Sequence, residues 1–119
     1  DLGRVEVIAE ITLNGKNLGI LWKPPFRADI SGVAQKGRNK LEVKITNLWA
    51  NRLIGDEQLP DDGQNTLESW PKWLLDGKPS PSGRVAFTTF RYFRKTEPLL
   101  PSGLLGPVTV KADSKVCTP

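Results

Sequence analysis

The chemistry-bearing residues of this chain crowd into the stretch NLWANRLIGDEQLP, from Asn47 to Pro60. Trp49, Asn51, Arg52, Asp56 and Glu57 follow one another there, with Trp22-Lys23 upstream in LWKPP and Trp70 and Trp73 downstream in WPKW. An exposed indole presents a flat apolar face to the C–H face of a pyranose. Amides, guanidinium groups and carboxylates at its rim can orient the hydroxyls. Trp22, Lys23, Trp49, Asn51, Arg52, Asp56, Glu57, Trp70 and Trp73 therefore form a candidate carbohydrate-binding set. The competing reading is that the indoles close a core or cover one end of the fold, while Asn51 and Arg52 only hold their loop by hydrogen bonds. Trp70 and Trp73 are three apart, so on a helical turn they share a face.

The acids admit two further chemistries. Asp56, Glu57, Asp61 and Asp62 could contribute oxygens to calcium, which takes six to eight, but their spacing does not fit an EF-hand loop. Solvated loop acids are the plainer reading. Asp56 and Glu57 could also act as a glycosidic carboxylate pair, for which a separation of about 5–10 Å is needed. Adjacent residues of an extended chain point in opposite directions, which argues against a shared catalytic site.

Other classes are excluded by what the composition lacks. The 119 residues include no histidine and one cysteine, Cys117. Ser-His and Cys-His machinery, histidine–metal centres and intrachain disulfides are therefore ruled out. The net charge is +4, but the basic residues are scattered singly rather than in the stripe expected of a nucleic-acid surface. No apolar run reaches the roughly 18 residues of a membrane span. The opening DLGRVEV reads as the lead-in to a strand, as expected inside a larger polypeptide.

The elements that must position these residues are strands. RVEVIAEITL, residues 4–13, alternates apolar and polar, and Asn14-Gly15 then signals a hairpin returning through Leu18 to Trp22. Short strands are expected at Phe26–Ile30, Leu41–Thr46, Arg84–Phe93 and Val108–Lys111, with helical turns at Thr66–Trp70 and Pro71–Leu75. The fold class is all-β, an antiparallel sandwich or jelly roll. It is expected to span residues 1–111 with a long loop over 48–83, followed by a flexible tail over 112–119. Simple up-and-down alternation would send LWKPP and NLWANRLIGDEQLP out of the same end, so that all four tryptophans gather on one side.

Longer motifs carry a resemblance. NG, LG, PF, DI and the spaced Gly37, Asn39, Leu41 and Val43 resemble the galactose-binding-like sandwich that accompanies many glycoside hydrolases. LWKPP, NLWANRLIGDEQLP, WPKWLLDGKPSPSGR and PLLPSGLLGPV resemble the C-terminal part of the α-L-rhamnosidases of glycoside hydrolase family 106, over nearly the whole chain to about Lys111. The resemblance implies a non-catalytic accessory module of a secreted or periplasmic bacterial enzyme, binding a polysaccharide or rhamnoside. The paired glutamates and calcium ion of that family lie in a barrel this chain does not contain, so no catalytic residue and no cofactor is carried over. The alternative to sugar binding is a structural sandwich packed on the catalytic domain, with IGDEQLP facing that domain. The resemblance also implies strands preceding DLG. Without such strands a sheet edge would be left open, and a homodimer through edge pairing or strand exchange is expected.

Overall fold

The computed structural model describes residues 1–63, 70–88 and 90–112. Its strands are β1 (Arg4–Glu6), β2 (Ile8–Leu13), β3 (Lys16–Leu21), β4 (Leu41–Thr46) and β5 (Gly103–Gly106); its helices are α1 (Ala50–Asp56) and α2 (Lys72–Leu75). All strand pairs are antiparallel, so the expected all-β class holds. The chain divides into two compact units: Asp1–Asn47 together with the chain from Pro101, and Leu48–Leu100. None of the helices among the described residues is long and apolar enough to cross a membrane.

The first unit holds two sheets, one of order β3-β2-β4 and one of β1 with β5. They share a core of Leu2, Val5, Ala9, Ile11 and Phe26, with Leu18, Leu21, Ala28, Val43 and Ile45 packed against it. The period-2 pattern fixes this arrangement: Val5, Ala9, Ile11 and Leu13 are buried while their neighbours face outward. Burying each large aliphatic side chain is worth roughly 1.5–3 kcal/mol. RVEVIAEITL is not one strand, however. The chain changes sheets at Val7, whose N–H donates to the Thr46 carbonyl at 3.3 Å. The inward alternation survives the switch, which is why the sequence alone does not reveal it.

The Asn-Gly turn forms as expected, with φ of 51° at Asn14 and 81° at Gly15 closing Leu13 onto Lys16. Asn14 also reaches beyond its own turn. Its side chain donates to the Val33 carbonyl (3.1 Å) and to Asn39 Oδ1 (2.8 Å), and accepts the Lys40 N–H (2.8 Å). Asn39 in turn closes the loop before β4 through Gln35 and Gly37. The two asparagines thus register β4 beside β2 from a distance in sequence. β3 and β4 both run antiparallel to β2, so Trp22 and Asn47 leave their strands at the same end of this sheet.

Three expected strands are corrected. Phe26–Ile30 is not a strand: Pro24 and Pro25 supply no donors, and the Asp29 side chain instead takes the Ser31 N–H at 2.8 Å in a local turn. Nor is there a strand over Arg84–Phe93 among the described residues, because the Val85 and Ala86 N–H groups go to a carboxylate rather than a ladder. The last strand is Gly103–Gly106 rather than Val108–Lys111, since Pro107 interrupts the donor row. The helical turn expected over Pro71–Leu75 appears as α2, whereas the one over 66–70 lies mainly outside the described residues. NLWANRLIGDEQLP, read as a loop, contains helix α1. Ala50, Arg52 and Leu53 favour helix, no proline intervenes before Pro60, and Ile54 and Asp56 turn inward.

Candidate functional site

In the second unit, α1 aims its last residues at the segment following Gly83. Asp56 is 3% exposed. Its Oδ2 accepts the N–H groups of Val85 (3.2 Å) and Ala86 (2.7 Å). Its Oδ1 lies 3.8 Å from Arg52 Nη1, the pair being four residues apart on the helix. Glu57 Oε1 accepts from Arg84 Nη1 at 3.0 Å, and Glu57 Oε2 stands 3.6 Å from Arg91 Nε. Arg84 is almost wholly buried and donates twice more, to the carbonyls of Pro60 (Nε, 2.9 Å) and Leu59 (Nη2, 3.0 Å). One guanidinium thus closes the chain after α1 onto the chain after Gly83 with three bonds in its planar fork. The crevice beside this clasp, lined by Leu53, Asp56, Glu57, Arg84 and Thr88 among others, measures about 10 Å³, room for about one water.

Asn51 is engaged in the same way. Its amide donates to the Leu100 carbonyl and accepts the Leu100 N–H, both at 2.8 Å. The other acids have partners of their own. Asp61 accepts the Gly63 N–H at 3.0 Å and pairs with Arg91. Asp62 receives the hydroxyls of Ser80 and Ser82. The Gly63 N–H, and beyond it the Arg91 and Arg84 charges, hold the Asp61 carboxyl below its usual range against the opposing effect of burial. Asp29 is lowered likewise by the Ser31 hydroxyl and N–H. The acids considered for calcium are thus each met by donors, and the described residues hold no group of three or more candidate metal-ligating side chains.

The indoles are placed differently. Trp22, Trp49 and Trp70 are 66%, 61% and 57% exposed. Trp73 is half-buried and donates from Nε1 to the Asp62 carbonyl at 3.1 Å. In the second unit Trp70 meets Phe87 edge-to-face, with ring centroids 5.8 Å apart, and Phe90 meets Tyr92 at 4.8 Å. In the first unit Lys23 Nζ sits 5.1 Å from the Trp22 ring centroid, a cation–π contact. Trp22 also lines an open hollow of about 580 Å³ with Pro24, Pro25, Phe26, Val5 and Val7. Arg4, Glu6, Arg27 and Asp1 complete its wall.

Of the nine expected binding residues, Asn51, Asp56 and Glu57 are committed to holding backbone or a buried guanidinium. Trp22, Lys23, Trp49, Arg52 and Trp70 are exposed, and Trp73 is half-buried. Trp22 and Lys23 belong to the first unit and the remainder to the second. The sequence reading missed Arg84, Phe87, Phe90, Tyr92, Arg4 and Arg27. RVAFTTFRYF was expected to be a strand, yet Val85, Phe87, Phe90 and Tyr92 are exposed. Arg84 carries no local signal, since its partners lie 24 to 27 residues away.

Comparison with known proteins places this β-rich, antiparallel segment beside parts of two much longer, glycoside-hydrolase-related proteins. It is 53% identical over 113 residues to a protein of Formosa agariphila named "Putative beta-glucuronidase", matching 92% of this chain and 10% of that protein. The solved structure of a rhamnosidase from Novosphingobium sp. PP1Y superposes with a TM-score of 0.62 at 34% identity, covering 90% of this chain and 8% of that one. The chain therefore spans about a tenth of the length of the relatives it matches. No family model matches it.

Proposed function

We propose that this chain is a non-catalytic accessory segment of a glycoside hydrolase and that it binds carbohydrate. The observation that carries this reading is the contrast within the candidate set: the carboxylates are spent internally, while three indoles stand more than half exposed. A glycosidic acid–base pair needs two carboxyl groups open to one substrate. Asp56 instead binds backbone and Glu57 binds arginine. The relatives support the context. Their names point to different sugars, a glucuronide and a rhamnoside, although both share this segment, so its contribution fits a role independent of which bond is cut. A family 106 enzyme, exported to the periplasm or beyond, is the setting this reading favours.

The test is titration of the 119-residue chain with rhamnosides, glucuronides and plant polysaccharide fragments, followed by calorimetry and indole fluorescence. Saturable binding at or below millimolar concentration is expected. Absence of binding to every saccharide would overturn the reading. It would favour the alternative in which the segment packs on the catalytic domain, a role suggested by exposed Leu48, Leu75 and Leu99.

A further inference from the structure

Resting on the carbohydrate-binding reading, we propose that the saccharide site is the Trp22 hollow of the first unit and that its ligand carries a carboxylate, as a uronic acid residue does. The volume, about 580 Å³, falls within the roughly 300–1,000 Å³ of small-molecule sites. Its floor and wall combine an apolar platform with polar groups, the combination a pyranose requires. Trp22, Pro24 and Pro25 offer flat apolar surface, and four charged side chains, Asp1, Arg4, Glu6 and Arg27, stand around it.

The arginines specify the ligand class. Arg4 bonds Glu6 through Nε at 2.9 Å, and Arg27 bonds Asp1 through Nε at 2.9 Å. Neither guanidinium spends its Nη edge on a partner among the described residues, and both side chains are more than half exposed. That terminal edge is the pair of donors that matches a carboxylate bidentately. The two wall carboxylates do not cancel the local field. Two further cations stand next to lining residues, Lys23 over the Trp22 ring and Lys111 at 3.5 Å from Asp1 Oδ2, so the positive charges near the hollow outnumber its two carboxylates. A neutral sugar would use the platform and leave this excess unanswered, whereas a uronate uses both. Each ion pair also pre-sets its guanidinium, which lowers the ordering cost of binding.

The experiment compares oligogalacturonates with neutral galacto-oligosaccharides of equal length, titrated against the 119-residue chain and its Trp22→Ala, Trp70→Ala, Arg4→Gln and Arg27→Gln variants. The wild type is expected to bind the uronate about tenfold more tightly than the neutral sugar, the gain of one charge-assisted contact. That preference should shrink with added salt. Trp22→Ala should abolish binding, Trp70→Ala should leave it unchanged, and at least one arginine variant should erase the preference. Circular dichroism identifies any variant that misfolds, and the exposure of Trp22 makes that outcome unexpected. Binding that survives Trp22→Ala but is lost in Trp70→Ala would overturn the hollow and leave the accessory-module reading standing. Binding through Trp22 without uronate preference would overturn the ligand class. Failure of the wild type to bind any saccharide would overturn both proposals together.

Discussion

Arg84 is the residue whose removal tests the account of the second unit most sharply. Its side chain is 4% exposed and that of Glu57 is 11% exposed. Arg84→Ala deletes one ion pair and two donors to the carbonyls of Leu59 and Pro60. Removing one partner of a buried pair costs about 3–5 kcal/mol, because the other charge is left desolvated and alone. Glu57 would not be wholly alone, since Arg91 Nε remains 3.6 Å away, so the low end, about 3 kcal/mol, is expected. A domain holds only about 0.05–0.15 kcal/mol per residue, so this loss brings the Leu48–Leu100 unit close to its unfolding threshold.

The assay is urea unfolding followed by indole fluorescence, which reports three of the four tryptophans from this unit. Arg84→Lys keeps the charge but not the fork and should lose about 1–2 kcal/mol through its unmet carbonyls. Pairing Arg84→Met with Glu57→Leu should cost less than the sum of the single changes by about 1–3 kcal/mol. If Arg84→Ala lowers stability by less than about 1 kcal/mol, the clasp is not what holds the two segments together.

Three further outcomes follow from the same geometry. Asn51→Ala should destabilise the second unit by about 1–3 kcal/mol in the same urea assay, since it leaves both backbone groups of Leu100 without their side-chain partner. Gly3→Ala should lower the melting temperature of the first unit markedly, because Gly3 has φ of 65° and a β-carbon there would lie 2.4 Å from the Gly106 carbonyl carbon. Gly15→Ala is the control, where the φ is also positive but open space would leave only the conformational cost. Asp61 should titrate below an ordinary aspartate in carbon-detected NMR, and its midpoint should rise in Arg91→Gln, which removes one of the charges that lower it and leaves the Gly63 turn in place. A lowered folded pKa contributes stability that is complete above the unfolded value and is lost as pH falls through the folded one. Asp61→Asn should therefore differ from wild type at neutral pH and converge with it in acid.

The sheets of the first unit were legible because their signals are local. Asn14-Gly15 demands positive φ at two successive positions, and the alternation over Val5 to Leu13 demands one buried face. The sheet change at Val7 was not legible, because a strand that switches sheets keeps its inward side chains inward. Phe26 is core but not strand: burial needs only an apolar ring, whereas a strand needs donors that Pro24 and Pro25 lack. Helix α1 was hidden by Gly55 and by the polar residues around it, although Arg52 and Asp56 stood at the helical spacing of four. The Arg84 clasp was beyond any local reading, since nothing near Arg84 names Glu57, Leu59 or Pro60 as its partners.

The density of chemistry in NLWANRLIGDEQLP has a cause that precedes any ligand. The second unit contains two short helices and no strand among its described residues, so many of its backbone N–H and C=O groups lack a regular partner. Buried backbone groups must be satisfied, and side chains are what remain to do it. Asp56 answers Val85 and Ala86, Asn51 answers Leu100, Arg84 answers Leu59 and Pro60, and Gln58 answers Lys95. Once those obligations are subtracted, the polar residues that made the stretch resemble a catalytic loop are nearly used up. The surplus lies in exposed Trp49 within the stretch and, outside it, in exposed Trp22 and Trp70 and the unspent guanidinium edges of Arg4 and Arg27. In an irregular Gly- and Pro-rich segment, backbone accounting therefore comes before catalytic interpretation, and a ligand site is sought among the groups that remain.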